Sequence, residues 1–241
     1  MIKHVLHTAL IIVWVVFATV FLGILVIIMS MFSKKGNVPH LVARLWGRSI
    51  LFFSGVHVDI KGLAHLPARR SCILMANHQS NFDIPVLLGC LPIQFRWLAK
   101  KELFKIPIFG RGMRGCGYIS IDRTNRKLAF ESLKEAARKI REGVSVMIFP
   151  EGTRSRDGRI RPFKKGGFVL SVDAGVPIVP IVIYGTHVMM PKGRLLVKSQ
   201  DVRMEILAPI HTSEYTRKTK DELMEKVRMA ICETFDRIAG E

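Results

Sequence analysis

The sequence predicts an α/β domain with a mostly parallel central sheet flanked by helices, preceded by N-terminal membrane helices. Three observations lead there. Residues 8–33 carry no charge. From residue 56 onward, short apolar runs alternate with segments of helical periodicity, the pattern of strands joined by crossover helices. Polar clusters directly follow three of the apolar runs, at the carboxyl ends of strands, where open α/β sheets bind ligands.

The uncharged stretch "TALIIVWVVFATVFLGILVIIMSMFS" has 26 residues. As a helix it is roughly 39 Å long, enough to cross a ~30 Å hydrocarbon core with some tilt. A signal peptide has an apolar core of about 7–15 residues and a small-residue cleavage site after it, and neither feature is here. A retained membrane segment is expected. Lys34, Lys35, Arg44 and Arg48 follow it, against Lys3 before it. By the positive-inside rule this puts the rest of the chain on the cytoplasmic face, of the inner membrane in a bacterium. Residues 38–55 are amphipathic, with His40, Arg44 and Arg48 at every fourth position. That suits a helix at the bilayer surface, and equally one packed on the main domain. The two helices could instead form a hairpin dipping into one leaflet. Residues 1–55 are thus the membrane-associating part, and residues 56–241 a single domain without repeats or long linkers.

Within that domain, strands are expected at Val56–Lys61, Ser71–Ala76, Phe95–Ala99, Gly117–Ile121, Ser145–Phe149 and Pro177–Tyr184. Leu195–Lys198 and Val202–Leu207 read as a hairpin. Pro177 and Pro180 demote their strand to an edge or a bulge. A helix follows Asn125 as N-cap and ends at Gly143, with Phe130, Leu133, Ala137 and Ile140 on one face. The final helix opens with Thr219-x-x-Glu222, a capping-box pattern.

Lys and Arg total 37 against 19 Asp and Glu, a net charge of +18. Such an excess favours anionic partners: nucleic acid, anionic lipid or phosphorylated small molecules. Residues 95–117 alternate basic with aromatic and aliphatic residues, but their aliphatic content suits contact with lipid or core, and a membrane-anchored chain is not expected to bind nucleic acid. Cys72, Cys90, Cys116 and Cys232 are widely spaced, without metal-ligand spacing, so free thiols in a reducing compartment are expected.

"ILMANHQSNFDIPVL" places His78 five residues before Asp83. A neutral imidazole can take a proton from an alcohol at neutral pH, and a carboxylate on its other nitrogen fixes the tautomer and stabilises the imidazolium. A loop with Asp83 as a helix N-cap accounts for the same residues. In the other two clusters, Arg123 follows "GYISID" and Arg154 lies in "FPEGTRS". The two could clamp a phosphate, with Gly152 admitting backbone N–H groups. A turn held by a solvent salt bridge is the alternative there.

Taken together, "NHQSNFD", "GYISIDR", "FPEGTRS" and "VPIVPI", in this order, resemble the four sequence blocks of the glycerolipid acyltransferases, most closely the 1-acylglycerol-3-phosphate acyltransferase branch. The resemblance covers roughly residues 60–210. It implies acyl transfer from acyl-CoA or acyl-carrier protein to a lysophospholipid hydroxyl, giving phosphatidate, with no metal, prosthetic group or covalent acyl-enzyme. It implies His78 as general base and Asp83 as its orienting partner. Arg123, Glu151, Gly152, Thr153 and Arg154 fall where the family binds the acceptor's glycerol phosphate, and Lys100 is a further phosphate or donor contact. Glycerol 3-phosphate, another lysophospholipid or an amino-acid lysolipid as acceptor, or a non-catalytic anionic-lipid binding module, are the alternatives.

Overall fold

The computed structural model describes residues 2–33, 35–68, 70–122 and 124–241. Lys34 and Arg123, to which the sequence assigns a flanking charge and a phosphate contact, lie outside the described residues. Helix α1 (Ile2–Ser30) is followed by α2 (Asn37–Phe53), and the α/β body then runs from β1 (Val58–Lys61) to α8 (Lys220–Gly240). Between these come β2 (Ile73–Ala76), α3 (Asp83–Cys90), β3 (Phe95–Lys100), α4 (Phe109–Gly115), β4 (Ile119–Ile121) and α5 (Arg126–Arg141). The chain continues through β5 (Ser145–Ile148), α6 (Gly166–Ala174), β6 (Ile178–Tyr184), α7 (Thr186–Met189) and β7 (Val202–Ile206).

The strands form one seven-stranded sheet in the order β1-β7-β6-β2-β5-β3-β4. From β6 to β4 neighbouring strands are parallel, whereas β7 runs antiparallel to β6 and parallel to β1. All four residues of β2 are buried, so the strand has no solvent face. Leu74 and Ala76 join a core beneath α1, α2 and α3, while Ile73 and Met75 join the core beneath α5, α6 and α8. That two-sided burial explains why β2 reads as a continuous apolar run and not as an alternating one.

Three expectations about single elements need correction. Leu195–Lys198 forms no strand, because the Val197 N–H donates to Thr8 Oγ1 of α1 (3.0 Å) and the Lys198 N–H to the Met189 carbonyl (2.9 Å). Of the two readings of the proline-bearing strand, edge or bulge, only the edge fails, since β6 lies between β7 and β2. Pro180 is accommodated because the β6–β7 ladder begins at Ile181, and the next pairing toward that side is the isolated bridge from Ile178 to Ile210. The missing N–H therefore falls in a break of the ladder. Lastly, no capping box forms at α8; Thr219 Oγ1 instead accepts from the Thr216 N–H (2.9 Å). The Asn125 cap of α5 does form, its side chain accepting from the Leu128 N–H.

Helix α2 packs across α3 at backbone range. A Cβ added to Gly47 would lie 2.9 Å from Leu88 Cβ and 3.0 Å from the Pro85 carbonyl oxygen. The opposite side of α2 exposes Val38, Leu41, Leu45 and Phe52. The packed reading of this helix therefore holds for the face on α3, and the outer face is apolar and exposed. Helix α1 lies along the body from end to end. Thr8 bonds Val197 near its start, the Trp46 indole N–H donates to Thr19 Oγ1 (3.0 Å) at its middle, and Ser30 meets Gly115 near its end.

Candidate active site

β2 ends at Ala76, and the loop that follows is fixed residue by residue. Asn77 exchanges two hydrogen bonds with the Ile183 backbone, both 2.8 Å, tying the loop to β6. The His78 N–H donates to Glu151 Oε1 (2.6 Å), and the His78 carbonyl accepts from the Ser155 N–H (2.8 Å). Its imidazole stacks on Phe149, with ring centroids 3.8 Å apart and planes 6° from parallel. Backbone and ring are thus held independently, a rigid placement of the kind general-base chemistry needs.

Asp83 completes the arrangement. Its Oδ2 lies 2.8 Å from His78 Nδ1 and also accepts from the Gln79 (2.7 Å) and Ser80 (2.9 Å) N–H groups. Its Oδ1 accepts from the Thr186 hydroxyl (2.6 Å). The carboxylate is fully buried and opens α3, where the helix dipole favours negative charge. The N-cap reading of Asp83 does not hold: Phe82 is the N-cap of α3, without a side-chain cap bond, and the Asp83 carboxylate accepts from the loop N–H groups of Gln79 and Ser80 before the helix while it holds the imidazole. With Nδ1 engaged by Asp83, Nε2 is the ring nitrogen left for a substrate.

His78 lines a cavity of about 390 Å³. One end is polar, with Asn81, Lys100, Gly152, Thr153 and Arg154 in its wall. The remainder is apolar and is enclosed by α1, α2 and α4, through residues such as Val26, Val42 and Met113. Gly152 adopts φ +73°, a left-handed turn that suits glycine and presents backbone at this wall. Lys100 Nζ sits 3.6 Å from Glu102 Oε2.

Glu151 does not face this wall. It is 2% exposed, and its second oxygen accepts from the Arg161 N–H (2.9 Å). With both oxygens occupied by backbone donors, it braces the loops from β2 and β5, which is not the phosphate-facing position that the resemblance implies. Burial pushes its carboxyl up to about 7, with Asp83 adding to the rise and the two N–H donors opposing it.

Several site residues carry no local sequence signal. The Lys192 ammonium donates to Thr153 Oγ1 (2.9 Å) and to the Arg154 carbonyl (3.1 Å). Partial burial, and then the nearby Arg156, Arg154 and Arg161, pull it below the usual lysine range. Thr186 and Phe149 likewise reach His78 and Asp83 only through the fold. Asp122, beside Arg123, is held by Lys101 and Thr124.

A half-buried histidine oriented by a buried aspartate, lining a mostly apolar cavity with cations in its wall, defines an acyltransferase-type site. The chain belongs to the acyltransferase family, whose model matches residues 57–184. Within it, the chain falls in the 1-acylglycerol-3-phosphate acyltransferase branch. It is 37% identical over 202 residues to the chloroplastic 1-acyl-sn-glycerol-3-phosphate acyltransferase of Brassica napus, covering 83% of this chain and 57% of that protein. It is 33% identical over 205 residues to the Limnanthes douglasii enzyme of the same name, covering 85% and 72%. The crystal structure of the 1-acyl-sn-glycerophosphate acyltransferase of Thermotoga maritima superposes with a TM-score of 0.86 at 29% identity, over 100% of this chain and 98% of that one. The chain thus spans little more than half the length of the chloroplast relative.

Proposed function

We propose that the protein transfers an acyl group from acyl-CoA or acyl-carrier protein to the free hydroxyl of 1-acylglycerol 3-phosphate, giving phosphatidate. The observation that carries this reading is the 2.8 Å His78–Asp83 contact, set where an apolar cavity meets the cations Arg154 and Lys192. The relatives named above act on this acceptor.

In the proposed reaction the acyl chain occupies the apolar cavity, and the acceptor phosphate lies against Arg154 and Lys192. As the acceptor hydroxyl attacks the thioester carbonyl, His78 Nε2 takes its proton. Asp83 balances the imidazolium charge through Nδ1. The tetrahedral intermediate collapses, the C–S bond breaks, and the imidazolium returns the proton to the departing thiolate. The chemistry asks nothing of the four cysteines, which are free thiols. Glu151 acts by holding the His78 backbone.

Membrane association follows from α1 and α2. Val13, Phe17, Phe21 and Ile28 of α1 are at least 50% exposed, and α2 adds its own apolar outer face. Since α1 contacts the body along its length, a bilayer-spanning path would carry that body into hydrocarbon. We place both helices in one leaflet, on the cytoplasmic face, with the cavity opening toward lipid. The test is product analysis by mass spectrometry. Purified protein in detergent receives acyl-CoA or acyl-carrier protein together with lysophosphatidate, glycerol 3-phosphate or lysophosphatidylethanolamine. Phosphatidate from lysophosphatidate should dominate; preferred acylation of either other acceptor contradicts the assignment.

A further inference from the structure

A second cavity, of about 620 Å³, lies away from His78. It meets the sheet at the amino ends of β3 and β5, through Arg96 and Val144, opposite the strand ends that hold the imidazole. Its remaining walls come from the end of α1, from α4, from the last turn of α5 and from the segment joining α1 to α2.

Its chemistry is one-sided. Among the described residues, Lys35, Arg96, Arg111, Arg114, Arg138 and Lys139 line it, with Glu142 as the one lining carboxylate. Glu135 lies behind Arg138 and Lys139 and brings the acidic groups to two. Arg96 is 1% exposed, and its hydrogen bonds go to neutral groups: Gln94, Asn37 and the Phe95 and Lys35 carbonyls. Arg114 likewise bonds the Phe104 carbonyl (2.8 Å). These cations converge. A Cβ placed on Gly117 would lie 3.3 Å from Arg96 Nε and 3.6 Å from Lys139 Nζ, so a buried guanidinium and an ammonium flank one stretch of bare backbone. Arg138 is ion-paired with Glu135 and Glu142, and Lys139 with Glu135, which leaves Lys35, Arg96, Arg111 and Arg114 as the cations of this lining without an ion pair among the described residues. Four such charges around one concavity repel unless an anion shares the space, and guanidinium forks match phosphate oxygens.

The location selects the source of that anion. Met31 and Phe32, just past α1, are 78% and 85% exposed. The cavity therefore opens where the apolar face of α1 gives way to charge, at the depth where a bilayer carries its headgroups. We propose that this cavity binds the phosphate headgroup of an anionic membrane phospholipid and so fixes the α1–α4 corner of the protein on the bilayer surface. The inference rests on the membrane placement given above and is separate from the acyl-transfer site.

The test compares wild type, Arg111→Gln/Lys139→Gln and a control, Lys218→Gln/Lys226→Gln, which removes two charges from the exposed part of the chain around α8. All are full-length. Flotation is measured with phosphatidylcholine vesicles, with and without phosphatidylglycerol, and inorganic phosphate binding is measured separately in detergent by calorimetry. Wild type and control should gain affinity when phosphatidylglycerol is added. The cavity variant should lose about tenfold of that affinity while matching wild type on phosphatidylcholine alone. Equal loss in the control means diffuse surface charge and overturns the proposal, as does a cavity variant that keeps the full gain. A variant weakened only toward inorganic phosphate points to a free anion and also overturns it. Wild type that fails to float on neutral vesicles contradicts the membrane placement instead, which separates the two claims.

Discussion

Glu151 shows how a residue's surroundings decide its role. Its two oxygens accept backbone N–H groups from loops 73 and 10 residues away in sequence. Glu151→Gln keeps the shape but turns one acceptor into a donor facing a donor, an unsatisfied buried pair costing about 1–3 kcal/mol. The sign of its pH dependence follows from the carboxyl being raised to about 7 from 4.5. The folded state holds this proton more tightly than the unfolded chain. The group's contribution is therefore fully present below about pH 4.5 and lost as pH rises through about 7. Melting temperatures from pH 5 to 8 should show wild type losing stability relative to Glu151→Gln as pH rises; a constant gap would contradict the raised carboxyl. Lys192→Ala, by removing a charged donor beside Arg154, should raise KM for lysophosphatidate about tenfold or more with kcat little changed. Steady-state kinetics would count against the assignment if KM stayed constant. The His78–Asp83 pair was legible in the sequence because the loop histidine stands only five residues before the start of α3. Glu151's partners and Lys192 were not, because the adjacency of β2 to β5 and the return of the chain after α7 bring them in.

Among the elements, the parallel strands from β2 to β6 were legible from apolar runs bounded by turn residues, and α5 from its period and its Asn125 cap. The order of the strands was not. Nothing local distinguishes a β7 that inserts between β1 and β6 from one that pairs as a hairpin, since the choice rests on Thr8 capturing Val197 from 189 residues away. The union of α2 and α3 has the same character: Gly47 marks a point where two backbones touch, yet in sequence it is only a glycine in a helix. Gly47→Val should cost about 1–3 kcal/mol by overpacking against Leu88 and Pro85. Denaturant unfolding tests this, and a variant as stable as wild type would show that α2 is not seated on α3.

Only the assembled molecule makes the acyl cavity. Its wall draws on α1, α2, α4 and the loops after β2 and β5, so the N-terminal helices and the loop that carries His78 border a single space. In the proposed account, burying α1 against the body links lipid contact to substrate access. Filling the apolar part with Met113→Trp should shift preference toward shorter acyl donors, read from mixed-donor competition, whereas an unchanged chain-length profile would place the chain elsewhere. In the proposed account the net charge of +18 serves two anions at opposite ends of the strands, an acceptor phosphate near Arg154 and a lipid headgroup near Arg96.

The central claim is that His78, oriented by Asp83, removes the acceptor's proton. The direct measurement is the single-turnover rate of phosphatidate formation for wild type and His78→Ala at saturating donor and lysophosphatidate, with acceptor binding measured in parallel. Loss of the general base should slow the chemical step by about 10²–10⁴-fold while acceptor affinity is retained. A His78→Ala protein that forms phosphatidate at the wild-type rate would contradict the account.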